Sequence, residues 1–210
     1  PGHTQYLLDK LKIPDIISIP FFIGHHKNNP QKSIWNNRPS CVMLIAEEEK
    51  TMRITILCVG KIKEKFYSAA VDEYKKRLSR YCRLDIVEVA DEKTEEGASP
   101  VQEEQVREKE GERLLKQMKD DAYTVTLEIR GEMPDSVQLA EKIEQLGVRG
   151  VSHIQFIIGG SLGLSRAVMA RADYRLSFSK MTFPHQLMRV ILLEQIYRSF
   201  RITRGEPYHK

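Results

Sequence analysis

Phe156-Ile157-Ile158-Gly159-Gly160-Ser161-Leu162-Gly163 and, one short strand further on, Phe178-Ser179-Lys180-Met181-Thr182-Phe183-Pro184-His185-Gln186 decide the fold of this chain. Each follows a strand-like run and opens a loop of ligand-binding character. Glycine without a Cβ lets backbone approach a ligand closely. The second run is too apolar for an idle connection, since it carries Phe178, Met181 and Phe183 among Ser179, Lys180 and Thr182. In an open α/β sheet small molecules bind beyond the carboxyl ends of strands. Two such loops on neighbouring strands therefore predict one cofactor pocket. The plain alternatives stay open: a simple turn for the glycine loop, and core plugs under the next helix for Met181 and Phe183.

Outward from these loops, the periodicity from Met52 onward alternates strands and helices. Arg53 to Val59, Arg83 to Val89, Tyr123 to Ile129, Ser152 to Ile158 and Tyr174 to Phe178 read as strands. Between and after them, Phe66 to Leu78, Val101 to Met118, Ser136 to Leu146, Ser165 to Arg171 and Pro184 to Phe200 read as helices, with Ser165 and Pro184 placed to begin theirs. This order calls for an α/β fold, a mainly parallel sheet with helices on both faces.

Residues 1–51 differ. They hold turn formers such as Asn28-Asn29-Pro30 and Asn36-Asn37-Arg38-Pro39, the single Trp35, and little periodicity. Two readings stand side by side: a genuine N-terminal extension, or upstream sequence read in frame. The second follows because Glu47-Glu48-Glu49-Lys50, just ahead of Met52, is what an all-purine ribosome-binding site would spell. The domain expected to carry function is 52–210.

With 210 residues, 41% hydrophobic and 30% charged, the chain can bury a sizeable core. Its apolar runs fall short of the ~20 residues of a spanning helix, so no membrane span is expected. Cys41, Cys58 and Cys82 lie far apart without a CxxC pair, which argues against a disulfide framework or zinc site and for the cytoplasm. A net charge of +4 permits an RNA partner without announcing one. The glycine spacing misses the dinucleotide fingerprint, and no phosphate-loop motif is present. His153 reads as a strand start and His185 as help in beginning a helix, while His209 in the charged tail is a candidate site residue; no metal-ligand spacing emerges. Arg189, Arg198, Arg201 and Arg204 are either a solvated face or a phosphate-binding stripe, the second favoured by the glycine-containing tail beside them.

Together with Ile54-Thr55-Ile56-Leu57-Cys58-Val59-Gly60-Lys61 and the terminal Arg204-Gly205-Glu206-Pro207-Tyr208-His209-Lys210, these motifs make 52–210 resemble the RlmH family. These are SPOUT-class methyltransferases that modify a pseudouridine of bacterial large-subunit ribosomal RNA. The resemblance implies a C-terminal trefoil knot, an exception to the rule against threaded chains. It also implies S-adenosyl-L-methionine bound by Leu127, Gly159, Phe178, Ser179, Lys180, Met181, Thr182 and Phe183. It implies a homodimer acting on ribosomal RNA within the ribosome, and methyl transfer to the ring nitrogen between the two pseudouridine carbonyls. His209 is then the candidate for proton handling, Arg204 and Arg189 for charge or phosphate, and Tyr208 for stacking on the base. A non-catalytic ribosome-binding factor on the same fold is the alternative.

Overall fold

In β1 (Arg53–Val59) every residue after the first is buried, and alternate side chains enter different cores. Ile54, Ile56 and Cys58 face one cluster; Leu57 and Val59 face another. A strand buried on both faces belongs inside a parallel sheet covered by helices on each side. The computed structural model, which describes residues 51–95 and 97–208, has that arrangement.

The remaining elements are α1 (Lys65–Leu78), β2 (Arg83–Val89), α2 (Pro100–Gln117), β3 (Tyr123–Glu132), α3 (Ser136–Val148), β4 (His153–Ile158), α4 (Arg166–Met169), β5 (Tyr174–Leu176) and α5 (His185–Thr203). The strand order is β2-β1-β4-β3-β5, all parallel. Helices α1, α3 and α5 cover one face, with Val71, Leu139, Ile143 and Leu192 in the first cluster. Helices α2 and α4 cover the other, through Leu114 and Val168. Each move toward the β2 edge passes over the first face, and each move toward β5 over the second. All four crossovers therefore share one hand, as a twisted parallel sheet requires.

Local chemistry sets the helix starts. Ser99 accepts from the Gln102 amide and Gln102 answers to the Ser99 amide, with Pro100 in the first turn. Asp135 and Gln138 form the same reciprocal cap on α3. Ser165 caps α4 through the Val168 amide at 3.4 Å, as its position in the sequence suggests. Several elements differ in extent from the periodicity, among them β3, which runs on to Glu132, β5, which stops at Leu176, α4, which stops at Met169, and α5, which continues to Thr203. The first two share a cause, a register shift at the pocket described below.

Gly111, in the middle of α2, faces Ser165. A Cβ there would lie 2.7 Å from the Ser165 Cβ and closer still to its hydroxyl. Replacing a mid-helix glycine by alanine ordinarily stabilises by roughly 0.5–1 kcal/mol. Here overpacking wins: Gly111→Ala should destabilise by about 1–3 kcal/mol, because it pushes the α4 cap off its site. Thermal melting checks the sign, and a variant that melts higher than the parent would show that α4 can move aside at no cost.

Candidate functional site

Beyond the carboxyl ends of β4, β3 and β5 lies a cavity of about 740 Å³, mostly apolar in its lining. The two loops singled out in the sequence do not end neighbouring strands. β3 stands between them, and its own end fills the gap. The β3–β5 ladder pairs Leu127 with Leu176 and then Glu132 with the same Leu176, so residues 128–131 loop out of register. Gly131 permits this, since a Cβ there would lie 2.7 Å from the Arg175 carbonyl oxygen. Ser177 then fastens the two strands: its amide donates to Glu132 O at 2.8 Å, and its hydroxyl is 3.1 Å from both Ile129 O and Ser179 O. The Ser179 hydroxyl accepts from the Met181 amide at 2.9 Å, which turns the chain around the cavity.

Of the residues expected around a cofactor, Leu127, Gly159, Phe178, Ser179, Met181, Thr182 and Phe183 line this cavity. Lys180 is exposed and does not. The core-plug reading is corrected for Met181, which is 71% exposed at the rim. Glu128, Ile129, Arg130, Ser177, His185 and Met188 also form the wall without having been singled out for it. The first three arrive through the register shift. His185 and Met188 come one helical turn apart on α5.

Gly159 serves the loop itself. A Cβ there would come within 2.8 Å of the Gly163 backbone, which closes back through Gly163 N to Gly160 O at 3.1 Å. Substitution at Gly159 therefore distorts the loop before any ligand is met. Under it sits Glu110, buried, with one oxygen accepting from the Glu92 amide at 3.0 Å and the other 2.7 Å from where a Gly160 Cβ would be. Burial holds the Glu110 carboxyl above the usual carboxylate range.

Arg189 needs a correction. Its side chain is 1% exposed, so it cannot hold a phosphate at the surface. Nη1 donates to Glu88 Oε1 at 2.6 Å, and Nη2 to Val59 O at 2.9 Å and Gly60 O at 2.7 Å. It is a structural cation that caps the carboxyl end of β1. One turn earlier, His185 lies against Gly60, and its pKa is depressed by burial and by the Arg189 charge.

The tail sits elsewhere. Tyr208 packs edge-on against Tyr197 with ring centroids 5.1 Å apart, and the Arg198 guanidinium lies 4.8 Å from its ring centre. Arg198 is paired with Glu194 at 2.6 Å. Arg204 lies over Tyr81, whose hydroxyl donates to Glu206 Oε2 at 2.7 Å. Tyr208 is thus a half-buried packing residue and not part of a solvated tail, and a base stacked on its face would have to displace Arg198. His209 lies outside the described residues. About 27 Å of helix, at 1.5 Å per residue, separates Arg204, just past the end of α5, from His185 at the cavity, while Tyr208 turns back along the helix to Glu194 and Tyr197.

The pKa of His185 has a testable sign. Its folded value lies below the ordinary 6.5, so the unfolded chain takes up the proton first as pH falls. The associated stability is complete above about 6.5 and is lost as pH drops through the folded value. On going from about pH 7.5 to about pH 5 the parent's melting temperature should fall further than that of His185→Gln. Buried His153, also depressed, is present in both and cancels. An NMR titration placing His185 above 6.5 would refute the assignment.

The family model described as a predicted SPOUT methyltransferase matches residues 52–209. The ribosomal RNA large subunit methyltransferase H of Bifidobacterium adolescentis is 64% identical over 159 residues, covering 76% of this chain and 100% of that protein. The protein of the same name from Clostridium acetobutylicum (strain ATCC 824) is 59% identical over the same coverage. Among solved structures, the tRNA (m1G37) methyltransferase from Aquifex aeolicus aligns with a TM-score of 0.45 at 14% identity, covering 76% of this chain and 75% of that one. With the parallel sheet, the terminal cavity and relatives matched over their whole length, the chain belongs to the RlmH family of SPOUT methyltransferases.

Proposed function

We propose that this chain is an S-adenosylmethionine-dependent methyltransferase acting on a ring nitrogen of a pseudouridine in large-subunit ribosomal RNA, in the cytoplasm. The observation that carries the reading is the cavity at the ends of β4, β3 and β5. Its volume lies within the roughly 300–1,000 Å³ of small-molecule sites, and its walls are mainly apolar with a few polar groups, as an adenosine with a short aliphatic arm requires. The loop that misses the phosphate-binding patterns suits a ligand without phosphate. When bound, S-adenosylmethionine supplies an electrophilic methyl on a sulfonium. Phe178, Met181 and Phe183 would exclude water around it, and the backbone of Gly159 and of residues 178–183 would orient it. The functional domain is 52–210, with its last helix threaded as the family's knot.

The target nitrogen bears a proton that must leave as the methyl arrives. His209 takes this proton on its imidazole, and Arg204, exposed and without an ion pair among the described residues, stabilises the resulting anion. Arg204 stands at the far end of α5 from this chain's own cavity. The tail therefore acts on the cavity of a second subunit, and the enzyme is a homodimer whose two sites each combine cofactor walls from one chain with Arg204 and His209 from the other.

Calorimetric titration with S-adenosylmethionine, followed by transfer of labelled methyl to large ribosomal subunits, tests this reading. The parent should bind and methylate. His209→Ala should bind the cofactor as the parent does yet lose at least about a hundredfold in transfer, the lower end of what general acid–base catalysis contributes. Mixing His209→Ala chains with chains disabled by Phe178→Asp at the cavity should restore activity that neither has alone. No recovery in confirmed heterodimers would place tail and cavity in one subunit. Binding of subunits without cofactor uptake would make the protein a ribosome-binding factor instead.

A further inference from the structure

Two cations stand on segments that line the cavity, and a third, Lys63, in the loop hydrogen-bonded to the first turn of α5. Arg130 is exposed on the looped-out part of β3 and lines the cavity. Lys180 is exposed between Ser179 and Met181, both of which line it. Lys63 is exposed in the loop after β1, and its charge is near enough to His185, a wall residue, to depress that ring's pKa.

Among the described residues none of the three forms an ion pair. Glu128 in the wall is taken by Arg175 at 3.6 Å, and Asp91, which lies beside Gly60 and His185, forms no ion pair with any of the three. The backbone that carries Lys63 is held in place: Gln186 Oε1 accepts from its amide at 2.9 Å, and Glu88 accepts from the Ile62 amide at 3.3 Å while holding Arg189.

We propose that Lys63, Arg130 and Lys180 grip the phosphates flanking the target nucleotide, so that single-stranded RNA crosses the cavity mouth and one base drops over it. This rests on the reading of the cavity as a cofactor site. S-adenosylmethionine carries one carboxylate and no phosphate, which leaves at least two of the three cations unanswered. A strand of RNA presents a phosphate at every nucleotide, and sequence-specific RNA recognition favours splayed single strands.

The test measures binding of the full chain to purified large ribosomal subunits over a salt series, for Lys63→Gln, Arg130→Gln and Lys180→Gln singly and combined. Each phosphate of a single strand that is deprived of its cation should flatten the slope of log affinity against log salt by about 0.7, and the triple variant by about 2. A control, Lys109→Gln with Lys116→Gln on exposed positions of α2, should leave the slope unchanged. In variants whose melting matches the parent, any loss of S-adenosylmethionine affinity should be smaller than the loss of subunit affinity, Arg130 being a wall residue. A triple variant with the parental slope overturns the proposal. So do an equal loss in the control, which would mean diffuse attraction, a parallel loss of cofactor affinity, which would return the cations to the cofactor carboxylate, and a parent that binds no subunits. A parent that binds subunits with this salt dependence but takes up no cofactor would defeat methyl transfer and leave the phosphate grip standing.

Discussion

The guanidinium of Arg189, buried at the carboxyl end of β1, fixes where the last helix begins. A buried cation is costly unless it is paired and hydrogen-bonded, and here two backbone carbonyls and the Glu88 carboxylate meet that demand. Nε alone goes without a partner. The consequences spread from this point. With the first turn of α5 held against Gly60, His185 and Met188 are delivered to the cavity wall, and Gln186 reaches the amides of the following loop. The segment from Ser177 to Pro184 has to span from β5 to that fixed start, which is why it wraps the cavity instead of running into solvent.

A second constraint operates on the opposite side. Residues 128–131 leave the ladder because Leu176 is opposed twice, by Leu127 and by Glu132. Ser177 satisfies the carbonyls that this displacement would otherwise orphan, in keeping with the rule that buried backbone polar groups find partners. The glycine loop completes the rim by closing on itself, Gly159 against Gly163, over the buried Glu110 of α2. Each of the three walls is therefore held by bonds within itself or by groups packed behind it.

Much of this was legible in the sequence, because the deciding signals are local. β1 and β2 agree with the periodicity at both ends, and Ser165 caps the helix it precedes. The two loops that line the cavity were legible for the same reason, as glycine and apolar residues in places where a connection does not need them. What stayed hidden depends on pairing across the sheet. Nothing in Glu128-Ile129-Arg130-Gly131 announces that Leu176 will be opposed twice, and no property of β5 by itself places β3 between the two loops. Arg189 reads as one more arginine of a stripe, since its burial depends on where β1 ends in space. Tyr208 reads as tail for the same reason: Tyr197 and Arg198, which receive it, lie on a helix whose exposed face is not marked by its residue types alone.

The geometry of α5 then bears on assembly. One helix carries cavity-wall residues at its start and Arg204 just past its end, with about 27 Å between. A rigid helix cannot fold back on itself, so no side-chain rearrangement within one subunit brings the two ends together. A twofold pairing with the two α5 helices antiparallel would do so with no new structure, each start lying near its partner's end and the two sites being equivalent. In such an arrangement the cofactor walls would be complete in a single chain, whereas the proton-handling groups would arrive only with the second. Cofactor uptake and methyl transfer would then respond differently to dilution, the first independent of chain concentration and the second falling away as the dimer dissociates.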